Sequence, residues 1–333
     1  MKAIVWTKYG SPDGLELQEV EKPSPKPNEV LIRIHATTVT AGDCEARRLQ
    51  FPFGLALPVR LYVGLIRPKR LKILGQELAG IVESVGKDVR LFKQGDEIFA
   101  ATGFGFGAYA QYICLPERPE MGVIAKKPDN MTYEEAAAVP VAGLEALHFL
   151  RTANLQSGRK VLINGAGGSI GTIGIQLARH FGAEVTAVDS RGKLEMLRAL
   201  GAEQVIDYTQ EDFTQRGETY DAILDVVGKA PFSGSIRALK EDGFFLLANP
   251  RLLDLARGRW VSMTSNKTVI AGSGSHRLAD LLLLKELAEA GKIRTVIDRC
   301  YPLEQMAEAH RYAERGGKKG NIIITVEHTA QAR

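Results

Sequence analysis

"KVLINGAGGSIGTIGIQLARHFGAEVTAVD", residues 160–189, decides the fold of this 333-residue chain. The apolar run 160–164 reads as a strand that stops at Gly165. Ala166, Gly167, Gly168, Ser169, Ile170 and Gly171 follow, and a helix begins. Residues without bulky side chains let the backbone turn sharply and approach a pyrophosphate, whose charge is met by unpaired N–H groups at the helix N-terminus. Ala166-x-Gly168-x-x-Gly171 departs from the G-x-G-x-x-G dinucleotide fingerprint by one methyl group at the first position. Such a pattern is weak by itself. Here it joins a strand to a helix, and a second strand ends in Asp189 about 20 residues further on, as dinucleotide binding requires. That context sets aside the competing explanation, a glycine turn that only packs a helix on a sheet.

Downstream, strands and helices alternate through "EVTAVD", "GKLEMLRALG", "QVIDY", "YDAILDVVG", "PFSGSIRALKEDG", "FFLLAN" and "KTVIAG". This is the rhythm of a doubly wound parallel sheet covered on both faces. Upstream, to about residue 125, "AIVW", "LELQEV", "EVLIRIHATTV", "GIVESVG", "DEIFA" and "AYAQYICL" are short, β-rich and separated by turn residues, which predicts an antiparallel, barrel-like domain. The proline-bearing "PERPEMGVIAKKPDNMT" reads as a linker between the two. After two helical patterns the tail ends in "NIIITV", a strand suited to the first sheet. The expected organisation is therefore α/β, with a catalytic domain at 1–125 completed by 275–333 and a Rossmann domain at 126–274.

Composition limits the partners. Lys and Arg number 43 against 39 Asp and Glu, a formal charge of +4 without a basic run, so nucleic acid is not expected as a partner. Three dispersed cysteines exclude a disulfide framework and fit a reducing compartment. No signal-like N-terminus or long apolar stretch is present, so a cytoplasmic location without stable membrane insertion is expected. The segment 51–72 mixes apolar residues with Arg60, Arg67, Lys69, Arg70 and Lys72. It suits a membrane surface or, as the preferred reading, a roof over a substrate cleft that selects bulky apolar acceptors. The sequence leaves the oligomeric state, a homodimer included, open.

"LGQELAGIVESVGKDVRLFKQGDEIFA" (74–100), with "GAGGSIG", "VPVAGLEALHFL" and "GAEQVIDY", resembles the medium-chain dehydrogenase/reductase superfamily, and in particular its zeta-crystallin-like quinone oxidoreductase branch. The resemblance spans essentially the whole chain. It implies a GroES-like β-barrel catalytic domain, a Rossmann cofactor domain, and a cleft where nicotinamide meets substrate. In the zinc enzymes of the superfamily a His ligand stands where this chain has Gln76, a Cys where it has Asp43, and the third ligand at about Val141. The lobe with four structural cysteines is absent from "GDEIFAATGFGFGAYAQY". A carboxamide is a poor zinc ligand, so no metal site is expected. Without a Lewis acid, an already electrophilic quinone or α,β-unsaturated carbonyl is the fitting hydride acceptor. An alcohol/aldehyde dehydrogenase or enoyl reductase acting on a bulky apolar substrate is the alternative within enzymes. A low-turnover cofactor-binding interaction protein is the alternative of another class.

Candidate catalytic residues are Asp43, Arg47, Gln76 and Glu145. Asp43 and Arg47, four apart in "GDCEARR", form either a solvated ion pair or a pair orienting cofactor or substrate. Gln76, with Glu77, is expected at the cleft floor. Glu145, where relatives carry threonine, is either a proton donor of raised pKa or a surface helix residue. By resemblance, the strand ends at Val227 and Gly228, Ala248 and Asn249, and Gly272 and Ser273 line the nicotinamide. Asp189 alone speaks for NAD, since a carboxylate bonds the ribose hydroxyls and repels a 2′-phosphate. Ser190, Arg191, Lys193 and Tyr208 speak for NADP, Arg191 by a bidentate phosphate contact. The set tips the expectation to NADPH, with Asp189 rotating away or pairing with Arg191.

Overall fold

In the computed structural model, residues 1–50, 56–274 and 276–328 are described; the start of the 51–72 segment, Ser275 and 329–333 lie outside them. The strands are β1 (Lys2–Trp6), β2 (Leu15–Glu19), β3 (Glu29–Thr38), β4 (Glu77–Val85), β5 (Glu97–Ala101), β6 (Tyr112–Pro116), β7 (Val123–Lys126), β8 (Lys160–Asn164), β9 (Glu184–Asp189), β10 (Gln204–Asp207), β11 (Tyr220–Asp225), β12 (Leu239–Leu247), β13 (Thr268–Ala271), β14 (Ile297–Pro302) and β15 (Asn321–Thr325). The helices are α1 (Ala41–Arg48), α2 (Ala56–Val63), α3 (Tyr133–Ala137), α4 (Pro140–Thr152), α5 (Ser169–His180), α6 (Leu194–Leu200), α7 (Phe232–Arg237), α8 (Leu252–Thr264), α9 (Leu278–Glu289) and α10 (Met306–Arg315). Two compact units result. One comprises Met1–Val141, His276–Ala290 and Ile297–Arg333, the other Ala142–Ser275 and Gly291–Val296.

In the first unit β3, β4, β5 and β7 pair antiparallel in succession. β15 joins β3 antiparallel through Ile323↔Thr38, and β14 joins β15 in parallel, so this seven-stranded sheet is mixed. β6 lies off that path on β3, and β1 and β2 form a separate hairpin. Buried alternate residues, among them Ile32, Ile34, Leu78, Val82, Ile98 and Ile324, build its core with Trp6. "VIAK" inside the predicted linker is β7, because Val123, Ile124 and Ala125 are apolar enough to be buried against β5.

The second unit holds a six-stranded sheet ordered β10-β9-β8-β11-β12-β13, every pair parallel. This is the doubly wound order whose direction reverses between the first and fourth strands, here β8 and β11, and ligands bind at that reversal beyond the C-terminal strand ends. The helix expected to run through "ALKEDG" ends at Arg237. The chain enters β12 at Leu239, whose pairing with Tyr220 continues after a register shift near Asp242, which sits at φ 60°. The helix α8 has no expected counterpart; several of its large apolar residues (Leu252, Leu253, Trp260, Met263) are exposed, which blurs the one-sided apolar stripe.

Candidate functional site

The glycine turn of the second unit stands at the sheet's reversal point. Gly165 takes φ +80°, and a Cβ there would come within 2.7 Å of Val227, in the loop that follows β11. Gly165 and Ala166 donate to Val188 O at 3.0 and 3.1 Å, which folds the turn back on β9. A Cβ on Gly171 would meet the Ala166 Cα at 2.5 Å, so the first turn of α5 rests directly on the turn's backbone. Gly168 is the helix N-cap without a side chain of its own, leaving the N-terminal end of α5 to a phosphate as the fingerprint requires.

Asp189 is buried at the end of β9, and its carboxylate is already engaged. Oδ2 accepts from Gly167 N at 2.8 Å, Oδ1 accepts from Ser190 N at 2.8 Å, and Lys193 Nζ lies 2.9 Å from Oδ1. The expectation of a partner is met by Lys193 instead of Arg191, because Lys193 at i+4 reaches back over Gly167. Arg191 is exposed and its backbone N–H bonds the Asp207 carboxylate at the end of β10. Tyr208, 61% exposed, follows directly and donates its N–H to Asp189 O. Ser190, Arg191 and Tyr208 thus share one rim, with Lys193 turned inward.

The other strand ends are braced as well. Asp225 is buried and accepts from Val227 N, Gly228 N and Ala230 N at 3.2, 3.0 and 3.0 Å, and from Asn164 Nδ2 at 3.0 Å. A Cβ on Gly228 would lie 2.1 Å from Asn249 O, which brings the 227–228 and 248–249 loops together. Glu145, on α4, accepts from Gly274 N at 2.8 Å and so binds the loop of Gly272 and Ser273. Burial raises its pKa, against the hydrogen bond from Gly274 N. Glu145 is thus half-buried on α4 against the loop that follows β13, not on the open surface of the helix.

In the first unit, Thr40 and Asp43 form a capping box at the start of α1. Asp43 Oδ2 accepts from Thr40 N at 3.1 Å and Thr40 Oγ1 at 2.7 Å, and Oδ1 accepts from Gly75 N at 3.1 Å. The Thr40 hydroxyl also lies 3.0 Å from Gln76 Oε1, which gathers Thr40, Asp43 and Gln76 into one cluster. Burial pushes Asp43 up to about 6 against these hydrogen bonds. Arg47 is not its partner. The fully buried guanidinium pairs with Glu314 and Gly10 O, while Nε donates to His310 Nδ1 at 3.4 Å. Asp43 at the cap and Arg47 one turn on point to different neighbours, so neither form of the expected pair is made.

Tyr109 and His310 were not singled out as site residues by sequence. His310 is buried, and burial beside Arg47 pulls its pKa to about 3, so the ring is neutral. With Nδ1 accepting from Arg47, the proton sits on Nε2, 3.2 Å from the Tyr109 hydroxyl, and Tyr109 is left to donate to Asp43. The only hint in the chain is "GAYAQY", which closes a run with glycines at 103, 105 and 107, and nothing in its spacing connects it to His310.

Glu77 accepts from Thr38 Oγ1 and from Val141 N, the latter at 2.7 Å, and burial pushes it up to about 7, with Asp43 adding to the shift. Because the folded chain keeps this proton over a pH range in which the unfolded chain has lost it, stability falls as pH rises from about 4.5 to about 7, by at most ~1.4 kcal/mol per pH unit. Glu77→Gln is expected to flatten that slope in thermal melts at pH 5 and pH 8. An unchanged slope assigns it to other groups.

Among the described residues no group of three or more His, Cys, Asp or Glu is placed to hold a metal ion. The positions of the zinc relatives' ligands carry an amide, an aliphatic residue and a carboxylate whose two oxygens are already hydrogen-bonded. A cavity of about 600 Å³ lined by Gln176, Arg179, His180, Lys292 and Arg294 lies at the opposite end of α5 from the glycine turn, and none of the sequence-assigned residues lines it.

Residues 26–129 match the alcohol dehydrogenase GroES-like domain family and residues 200–324 the zinc-binding dehydrogenase family. The chain is 33% identical over 337 residues to a 2-methylene-furan-3-one reductase of Solanum lycopersicum, covering 97% of this chain and 79% of that one. It is 30% identical over 338 residues to the chloroplastic NADPH-dependent alkenal/one oxidoreductase of Arabidopsis thaliana, with coverage of 97% and 79%. The solved structure of a Coxiella burnetii quinone oxidoreductase superposes with a TM-score of 0.87 at 30% identity, covering 98% of this chain and 99% of that one. The chain belongs to the medium-chain dehydrogenase/reductase superfamily, in its zinc-independent, quinone-oxidoreductase-like branch. The resemblance drawn from its motifs is thereby borne out.

Proposed function

We infer that the protein is a zinc-independent, NAD(P)H-dependent oxidoreductase that reduces a quinone or an α,β-unsaturated carbonyl, and that NADPH is its preferred cofactor. The observation that carries the cofactor reading is the engagement of Asp189 by Gly167, Ser190 and Lys193. A carboxylate held in that way does not project toward a ribose, and its charge is offset by the ammonium, so its repulsion of a 2′-phosphate is weakened. Arg191 and Tyr208 stay exposed beside it to take the phosphate. The names of the three relatives support the acceptor class.

When bound, the dihydronicotinamide supplies the hydride. The N-terminal end of α5 and the 165–168 turn hold the pyrophosphate, and the braced loops at 227–228, 248–249 and 272–273 form the ring's surroundings. Gln76, whose Oε1 faces the Thr40 hydroxyl, offers its amide N–H to the acceptor oxygen. Glu145 is the candidate donor of the accompanying proton, while Asp43 positions Thr40 and Gly75. Arg47 is assigned to structural support. The same reading carries a closed N-terminal barrel, a domain boundary near residue 125 with a return after 275, a cytoplasmic location and no nucleic-acid partner.

Oxidation of NADPH and NADH against a panel of quinones, enones, aldehydes and alcohols tests the reading, with metal content measured on the same sample. Turnover confined to aldehydes or alcohols, or dependent on bound zinc, defeats it. Arg191→Ala is expected to weaken NADPH by about 10- to 100-fold, the range of a lost charged hydrogen bond, and to leave NADH unchanged. Equal loss of both removes the phosphate assignment. Asp189→Ala is expected to weaken both cofactors, because the turn loses its brace at Gly167.

A further inference from the structure

We propose that residues 57–72 are a docking surface for an anionic lipid bilayer. Between Glu45 and Glu77 the sequence has seven Lys and Arg residues and no carboxylate. In a chain of nearly balanced charge, that segregation is local. The segment is also folded. Val63 is buried, Gly64 N donates to Arg60 O at 2.8 Å, Lys69 N and Arg70 N both donate to Val63 O, and the Tyr9 hydroxyl donates to Gly64 O. This scaffold holds α2 and the loop after it as one projection.

Val59, Val63 and Leu71 anchor the projection on the core, while five larger apolar side chains face outward. Leu57, Leu61, Tyr62, Leu65 and Ile66 are 62, 63, 66, 57 and 84% exposed, so the apolar series is not covered by the described residues of the chain as a roof would be. Arg60, Arg67, Lys69, Arg70 and Lys72 are exposed among them, and none pairs with a carboxylate among the described residues. Arg70 instead stacks over the Tyr62 ring at 5.3 Å, and Arg60 donates to Leu65 O at 2.7 Å and lies over the Tyr9 ring at 5.4 Å. Exposed aliphatic residues flanked by cations without a carboxylate partner, with a tyrosine at the margin, match a bilayer face in two respects: the aliphatics find acyl chains and the cations find headgroup phosphates and carboxylates. No helix among the described residues is long and apolar enough to cross a membrane, so the contact is peripheral.

Binding is measured without turnover, so the test is independent of the proposed reductase activity. The full chain is sedimented with vesicles of phosphatidylcholine alone and of phosphatidylcholine with phosphatidylserine. At an ionic strength of about 0.1 M, where exposed charges still act over about 10 Å, partitioning onto the anionic vesicles is expected to be at least tenfold higher. It should fall steeply with added salt. Arg67→Glu with Arg70→Glu is expected to remove the preference for phosphatidylserine, and Leu61→Asp with Ile66→Asp to remove binding to both vesicles. Circular dichroism confirms that the variants, all at exposed positions, remain folded. Equal binding to both vesicles, no binding to either, or variants that bind as the parent does each overturn the proposal. So does light scattering showing a dimer that Ile66→Asp dissociates, since a second copy then covers the surface.

Discussion

Replacing Glu314 with alanine is expected to lower stability by about 3–5 kcal/mol, the cost of leaving a buried charge without its partner. Arg47 has no exposed side-chain surface, and of the groups that receive it only Glu314 is charged. Its pKa is already lowered by burial and restored in part by Glu314, which marks the carboxylate as the group that makes the buried cation tolerable. Denaturant unfolding of the single variant and of Arg47→Met/Glu314→Leu separates pairing from packing. The double variant should recover much of the loss, because an apolar pair of similar volume is often as stable as the ion pair it replaces. If the single variant stays within about 0.5 kcal/mol of the parent, the ordinary range for a surface change, the pair does not support the fold.

Gly171→Val is expected to cost about 1–3 kcal/mol by overpacking and to weaken NADPH and NADH alike, by on the order of 100-fold or roughly 2.7 kcal/mol. The new side chain meets the backbone of Ala166, where no rotamer can relieve the contact, so α5 has to lift from the turn. That movement carries the helix N-terminus away from the phosphates. Gly105→Ala serves as the control, since nothing lies within 4 Å of the added carbon. Cofactor fluorescence titration reads the difference. Retained affinity in a folded Gly171→Val protein rejects this turn as the phosphate site.

The glycine turn was legible because its chemistry is local: strand, turn, helix and Asp189 lie within one stretch, and both periodicities are clear. The first unit yielded less. Its hairpins follow from alternation and turn residues, but the parallel pairing of β14 with β15 depends on segments with no shared pattern, and β14 is only half-buried. The Asp43–Arg47 expectation failed for a related reason. Spacing of four predicts proximity on a helix, yet it says nothing about Glu314, which outcompetes Asp43 once α10 packs beside α1. Lys193 shows the opposite case, where i+4 spacing did mark a real pair but Arg191, two residues earlier, is the stronger phosphate ligand by type and drew the assignment. The 51–72 segment mixes apolar and basic residues without a period, so its sequence left two placements open.

The pairing of Ile323 with Thr38 imposes an order on the birth of the molecule. As a nascent chain leaves the ribosome at ~5–20 residues per second, the C-terminal half of β3 emerges roughly 15–60 s before the strand that will lie beside it. The intervening parallel sheet is complete in the meantime and can fold first. During the wait, β3 offers unpaired N–H and C=O groups on one side, and Cys44, Arg47 and Tyr109 lack the α10 residues that later enclose them. An open edge of that kind invites pairing with a neighbouring nascent chain. Yield during synthesis is therefore expected to respond to chaperones and translation speed more strongly than the stability of the finished protein suggests.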